Sequence, residues 1–232
     1  ENVAASFALD LFRDEYKSGR KTLVSPLSVF TALAMTQNGA EDRTLSEMQK
    51  TLGGLDRDVL NAYMNAYLAE LTGKDSALKC ANSLWIDSRL DVKTSFLQKN
   101  ADFYSAQAYK ADFTRKNTVN EINSWVNKNT NGMIKKLVDE FDPLTVMVLM
   151  NALCLEAEWD DPYTDNCVRE GTFKNAKGNL VKAEYMYSQE TEYIETENAT
   201  GFVKYYKGGK FAFVALLPNE GTSIDSYIAS LT

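Results

Sequence analysis

The sequence predicts an α+β protein, and three observations carry that reading. Apolar residues recur at helical spacing through most of the first half, an unbroken apolar run occupies Thr145 to Leu155, and period-two alternation dominates the last third of the chain. No internal repeat, low-complexity stretch or linker interrupts these patterns, so a single domain over 1–232 is expected.

Val3, Phe7 and Leu11 open the chain at helical spacing. Ser25-Pro26 is an N-cap followed by proline at the first helical position, where its missing N–H costs nothing. The helix begun there is apolar nearly all round, through Leu27, Phe30, Leu33 and Met35, and stops at Asn38-Gly39; it is expected in the core. Thr44-Leu45-Ser46-Glu47 has the form of a capping box opening a third helix that ends at Gly53-Gly54. Leu60, Tyr63, Tyr67 and Leu71 mark a fourth, ending at Gly73.

The period then changes. Leu78, Cys80, Leu84 and Ile86 alternate as a strand, Phe96 to Tyr104 is a short helix, and Val119, Ile122 and Val126 place an amphipathic helix between Thr118 and Asn131. The run Thr145–Leu155 is too continuous for a strand with one wet face and predicts a central strand covered on both sides. Strands are expected after it at 181–187, 193–196, 202–206 and 211–217. Ile224, Tyr227, Ile228 and Leu231 finally recur at helical spacing, and the sequence stops inside that pattern, as expected of a piece of a longer polypeptide.

Composition narrows the function classes. Zero histidines among 232 residues removes Ser-His-Asp and Cys-His nucleophile activation and histidine general-base chemistry from this chain. Three cysteines, Cys80, Cys154 and Cys167, permit at most one disulfide and match no paired-thiolate metal motif, so no metal or cofactor is expected. A net charge of −7 without a basic cluster interleaved with aromatics argues against nucleic acid. The longest apolar run falls well short of the roughly 20 residues of a membrane span. Glu1 opens the chain without a basic start and apolar run, so any leader is expected to have been removed.

Several stretches resemble the serpin family in order and spacing. They are Leu23-Val24-Ser25-Pro26-Leu27-Ser28 and the helix through Asn38-Gly39-Ala40; Asn82-Ser83-Leu84-Trp85-Ile86; and Phe103-Tyr104 with Asp112-Phe113. Next come Ile122-Asn123-Ser124-Trp125-Val126 with Thr130-Asn131-Gly132-Met133-Ile134, then Asn151, Glu158-Trp159 and Pro162-Tyr163, and finally Leu216-Leu217-Pro218-Asn219-Glu220-Gly221. The resemblance implies helices around a large central mixed or antiparallel sheet with smaller additional sheets. This chain supplies the N-terminal two-thirds of it, an incomplete domain whose hinge and reactive loop lie elsewhere. It also implies suicide inhibition of a serine, or alternatively a cysteine, protease: the cleaved reactive loop enters the central sheet as a new strand. The partners are then a target protease and a complementary C-terminal segment, and the compartment implied is extracellular, although free cysteines also suit the cytosol.

Asn151 stands inside an apolar strand, where an unpaired buried amide costs about 1–3 kcal/mol, so it needs partners. Ser25 and Ser28, three apart at a helix start, are expected to supply them. By resemblance these three residues form the shutter, the polar cluster under the parting strands, and Trp159 is the tryptophan of the breach, where insertion begins. Without the resemblance, Ser25 reads as an N-cap, Asn151 as a satisfied core amide and Trp159 as aromatic packing. Where the family commonly has Gly-Lys-Trp followed by Lys or Arg, this chain has Ala157-Glu158-Trp159-Asp160-Asp161, which leaves the charge partners there open. Asp160, Asp161 and Asp165 lack the spacing of a calcium loop and read as a solvated acidic turn. Asn198-Ala199-Thr200 fits the glycosylation acceptor pattern, which is frequent by chance.

Two other functions compete. One is a non-inhibitory serpin acting as carrier, storage protein or chaperone. The other is a carboxylate-dependent glycoside hydrolase using Glu156 and Glu158, which on one strand face the same way about 7 Å apart.

Overall fold

The structure is a computed structural model that describes residues 3–175 and 177–231. Glu1, where a leader would have ended, and Thr232, where the last helical pattern stops, lie outside the described residues. The chain divides into two compact units, Glu1–Phe12 with Val24–Glu156 and Arg13–Leu23 with Ala157–Thr232.

The first unit carries helix α1 (Val3–Glu15) as far as Phe12, helices α2 (Pro26–Gln37), α3 (Asp42–Thr51), α4 (Arg57–Leu71), α5 (Thr94–Tyr104) and α6 (Lys116–Asn129), and strands β1 (Leu78–Asp87), β2 (Gln107–Ala111) and β3 (Met147–Leu155). Its sheet runs β2-β1-β3, with β1 parallel to β2 and antiparallel to β3. Because side chains alternate along a strand, β1 serves two cores at once. Leu84 and Ile86 join Phe30, Met35, Leu60, Met64 and Phe96 of the helical layer; Trp85 joins Phe113, Ile122, Trp125 and Val126 beside α6. Ile122 is fully buried, a burial that contributes about 1.5–3 kcal/mol.

The structure corrects one expectation, corrects part of a second and adds two strands. The capping box at Thr44 is not a helix start: α3 begins at Asp42 with Glu41 at its cap position, so Thr44 and Glu47 lie inside the helix, where Glu47 pairs with Arg43 at 2.7 Å. The run at 145–155 is covered on both faces as expected, with Met147 and Leu149 packed against the helical layer and Val148, Met150 and Ala152 in the cluster with α6, but it is not central among the described residues, where β1 is its one strand neighbour. Its apolar continuity reflects these two cores, one on each face of the strand. Finally, β2 and β4 escaped the sequence pattern, since both are short and largely exposed and neither alternates cleanly.

Between α6 and β3 the chain runs without helix or strand, and Asn123 of α6 holds it. Asn123 Oδ1 accepts from the N–H groups of Leu137 (2.7 Å) and Val138 (3.0 Å), while Nδ2 donates to the Val138 carbonyl (2.8 Å). One side chain thus satisfies three backbone groups that irregular structure would otherwise leave to water.

The second unit holds a hairpin of β4 (Val168–Lys174) and β5 (Leu180–Met186), a meander of β6 (Glu192–Glu195), β7 (Ala199–Tyr205) and β8 (Ala212–Pro218), and α7 (Ile224–Ser230). Gly201 is required where β7 meets β8, because a Cβ there would come within 2.1 Å of the Ala215 carbonyl oxygen. Phe173, Leu180, Met186, Val214 and Leu217 are exposed, so both sheets present apolar side chains to solvent.

Candidate functional site

Asn151 lies directly opposite Asn82 in the β1–β3 register, and both fall on the side of the sheet shared with Leu84 and Leu149. Asn151 Nδ2 donates to Asn82 Oδ1 at 2.7 Å and to Cys80 Sγ at 3.3 Å. Ser25 and Ser28 are not its partners: the Ser25 hydroxyl donates to that of Ser28 at 3.0 Å, and Ser25 occupies the cap position of α2 without a side-chain bond to the helix backbone. The predicted trio is therefore two clusters, one hydroxyl pair and one amide pair. Asn151 Oδ1 remains buried with no hydrogen-bond partner among the described residues, an arrangement that carries a free-energy cost until a donor reaches it.

Asn82 in turn donates to the Tyr104 carbonyl at 2.8 Å, which leads into a second polar group that the sequence pattern did not reveal. The Tyr104 hydroxyl donates to Asn61 Oδ1 (2.7 Å), Asn61 Nδ2 to Asn38 Oδ1 (2.8 Å), Asn38 Nδ2 to Asn100 Oδ1 (3.2 Å), and Asn100 Nδ2 to the Phe96 carbonyl (3.0 Å). All four side chains are buried, and burial pushes the Tyr104 phenol well above its ordinary value. A signal was present: Phe96, Asn100 and Tyr104 recur at i, i+4 and i+8, which puts the amide on the apolar face of α5. Burial likewise raises the Cys80 thiol, and all three cysteines are free.

In the second unit Trp159 forms an isolated antiparallel bridge with Tyr206. Its indole stacks on the Tyr206 ring at 4.4 Å and 9°, with the edges of Phe213 (6.0 Å) and Tyr163 (6.4 Å) beside it. Lys204 enters this aromatic group. Its side chain is 4% exposed, its Nζ bonds Glu190 Oε1 at 2.7 Å, and it lies 4.7 Å from the centre of Tyr163 and 5.8 Å from that of Trp159. The hydrogen bond to Glu190 raises the Lys204 ammonium and lowers the Glu190 carboxyl, so both are held charged. Ser188 completes the group, bonding Glu190 and the Tyr163 hydroxyl. Neither Lys204 nor Glu190 stands out in the sequence, although Phe202 and Lys204 alternate onto one face of β7 and Tyr206 follows two residues on.

The acidic turn that left charge partners open is answered in part by Lys207, whose Nζ reaches Glu158 at 3.3 Å. The hydrolase geometry is corrected: β3 ends at Leu155, so Glu156 and Glu158 do not share a strand. Glu156 instead accepts from Asn131 at 2.5 Å, and each carboxylate is exposed beside its own partner. Among the described residues no group of three or more His, Cys, Asp or Glu is placed to hold a metal. No helix among them is long and apolar enough to cross a membrane.

The family described as Serpin (serine protease inhibitor) matches residues 2–232. An uncharacterized serpin-like protein of Thermococcus kodakarensis is 29% identical over 95% of this chain and 53% of its own length. The thermophilic serpin tengpin, solved in its latent state, is 42% identical with a TM-score of 0.93, over 99% of this chain and 63% of that one. Thyroxine-binding globulin in complex with thyroxine is 26% identical with a TM-score of 0.89, over 99% of this chain and 66% of that one. The chain thus spans about half to two-thirds of the length of the proteins it matches.

Proposed function

The chain belongs to the serpin family, and from that premise we propose that the full-length protein inhibits a serine protease, or alternatively a cysteine protease, by reactive-loop cleavage and strand insertion. Members of this family are for the most part protease inhibitors rather than enzymes. In this reading 1–232 is one incomplete serpin domain. The complementary C-terminal segment covers the apolar sheet faces and carries the hinge and reactive loop, and the protein works outside the cell.

The observation that carries the proposal is the family match over residues 2–232, and the edge of β3 is where an added strand would pair. One side of β3 is unpaired among the described residues, and on it Asn151 holds a buried carbonyl oxygen without a donor. A strand added along that edge would gain a ladder of backbone bonds and could bring Asn151 its missing partner, which is the energetic logic of loop insertion. In the same reading Ser25, Ser28 and Asn151 serve as shutter residues and Trp159 as the breach tryptophan.

A second reading has a specific observation behind it, because the chain is similar to a thyroxine-binding globulin captured with its ligand. A non-inhibitory carrier would be cut without trapping its protease. The test is to mix the full-length protein with a panel of serine and cysteine proteases. Inhibition predicts a covalent adduct surviving SDS, a rise in melting temperature on cleavage, and faster spontaneous conversion to the inserted form in Asn151→Ala. Clean cleavage with no adduct and no thermal gain would establish the carrier reading instead.

A further inference from the structure

An ion pair inside an aromatic cluster is a poor source of stability, since apolar residues of similar volume serve as well or better there. Lys204 and Glu190 nevertheless sit at that place: their side chains are 4% and 16% exposed, Lys204 lies by the rings of Trp159 and Tyr163, and Trp159 in turn packs on Tyr206 and Phe213. Ring stacking alone tolerates sliding and offset. A cation near a ring face is more demanding, because its attraction depends on where the face points. Here the cation cannot wander, since Glu190 holds it at 2.7 Å and Ser188 holds Glu190. Tyr163 is tied to the same support through its hydroxyl.

We propose that Lys204 and Glu190 are positioning residues for Trp159: the fixed ammonium selects one orientation of the indole on Tyr206 and so sets how readily the chain yields at that tryptophan. The orientation itself follows from geometry within one unit. The effect on opening rests on the reading of Trp159 as the breach residue.

The experiment uses the full-length protein labelled with 5-fluorotryptophan, its Trp159 resonance assigned by Trp159→Phe. In the double variant Lys204→Met/Glu190→Leu the packing volume is retained and no charge is left unpaired, so the denaturation midpoint should hold or rise. The Trp159 signal should nonetheless split or broaden while those of Trp85 and Trp125 stay put, and spontaneous conversion to the inserted form should quicken by about fivefold, the worth of one lost cation–ring contact. Glu190→Gln should disturb the same resonance, and Lys204→Arg, which keeps a cation on the ring, should restore it; these two serve if the double variant does not fold. An unchanged Trp159 signal in the double variant, or in Glu190→Gln, overturns the proposal. A disturbed signal with an unchanged conversion rate upholds the positioning role and removes Trp159 from the breach.

Discussion

Two buried polar groups, one in each unit, are satisfied in opposite ways. In the first, Asn38, Asn61, Asn100 and Tyr104 form a neutral network in which each side chain shares its hydrogen bonds with others or with backbone. In the second, Lys204 and Glu190 form a charged pair in which each is the other's main partner. A neutral network spreads the cost of losing one member over several weaker bonds, whereas a charged pair concentrates it, because the survivor keeps its full desolvation penalty. The difference teaches that what matters about a buried polar group is how many partners stand behind it, more than how polar it is.

Three measurements can break or sharpen that contrast. The largest effect is expected from Lys204→Met alone, which strands Glu190 with only Ser188 and should lower unfolding free energy by about 3 kcal/mol in urea titrations. Asn61→Leu, close in volume, removes the hub that accepts from Tyr104 and donates to Asn38. It should cost about 2 kcal/mol, since two orphaned groups relax partly onto their neighbours. If Asn61→Leu proves the costlier change, connectivity is not what protects the network.

The smallest effect belongs to a pair open to water. Asp87 is 3% exposed but its partner Arg89 is 70% exposed. The Arg89 side chain, and then its backbone N–H, pull the Asp87 carboxyl down to about 2. A carboxyl lowered on folding stabilises the native state above its unfolded value of about 4. That contribution should therefore fade as pH falls from about 4 to about 2. Urea midpoints across that range should converge for the wild type and Asp87→Asn; a constant offset would mean that the salt bridge is not what shifts the carboxyl.

Much of the fold was legible because periodicity is a local property. The end of α2 at Asn38, the helix α6 and the meander β6–β8 all stand close to where spacing put them. Failures came where a local pattern had a non-local cause. Thr44 and Glu47 have capping-box spacing, yet the turn is set two residues earlier at Asp42, which adopts a positive φ of 51°. The run at 145–155 announced its two covered faces but not its place in the sheet, because composition reports how apolar a strand is and cannot report which strands it has as neighbours. At the site, the resemblance singled out Asn151 and Trp159 as candidates but could not supply their partners. Asn82 faces Asn151 only through the register of two strands almost 70 residues apart, the separation being 69. Lys204 looks like any strand lysine until its strand is placed beside Tyr163 and Trp159.

The grip of Asn123 on the segment after α6 bears on how this molecule comes apart. Segments without helix or strand usually loosen residue by residue from their least protected point. Here three backbone bonds depend on one amide group, so rotation of a single side chain releases all of them together. That stretch, with its exposed Leu137, Leu144 and Val146 and its packed Val138 and Phe141, is thereby pinned at one point whose three bonds are made or lost as a set.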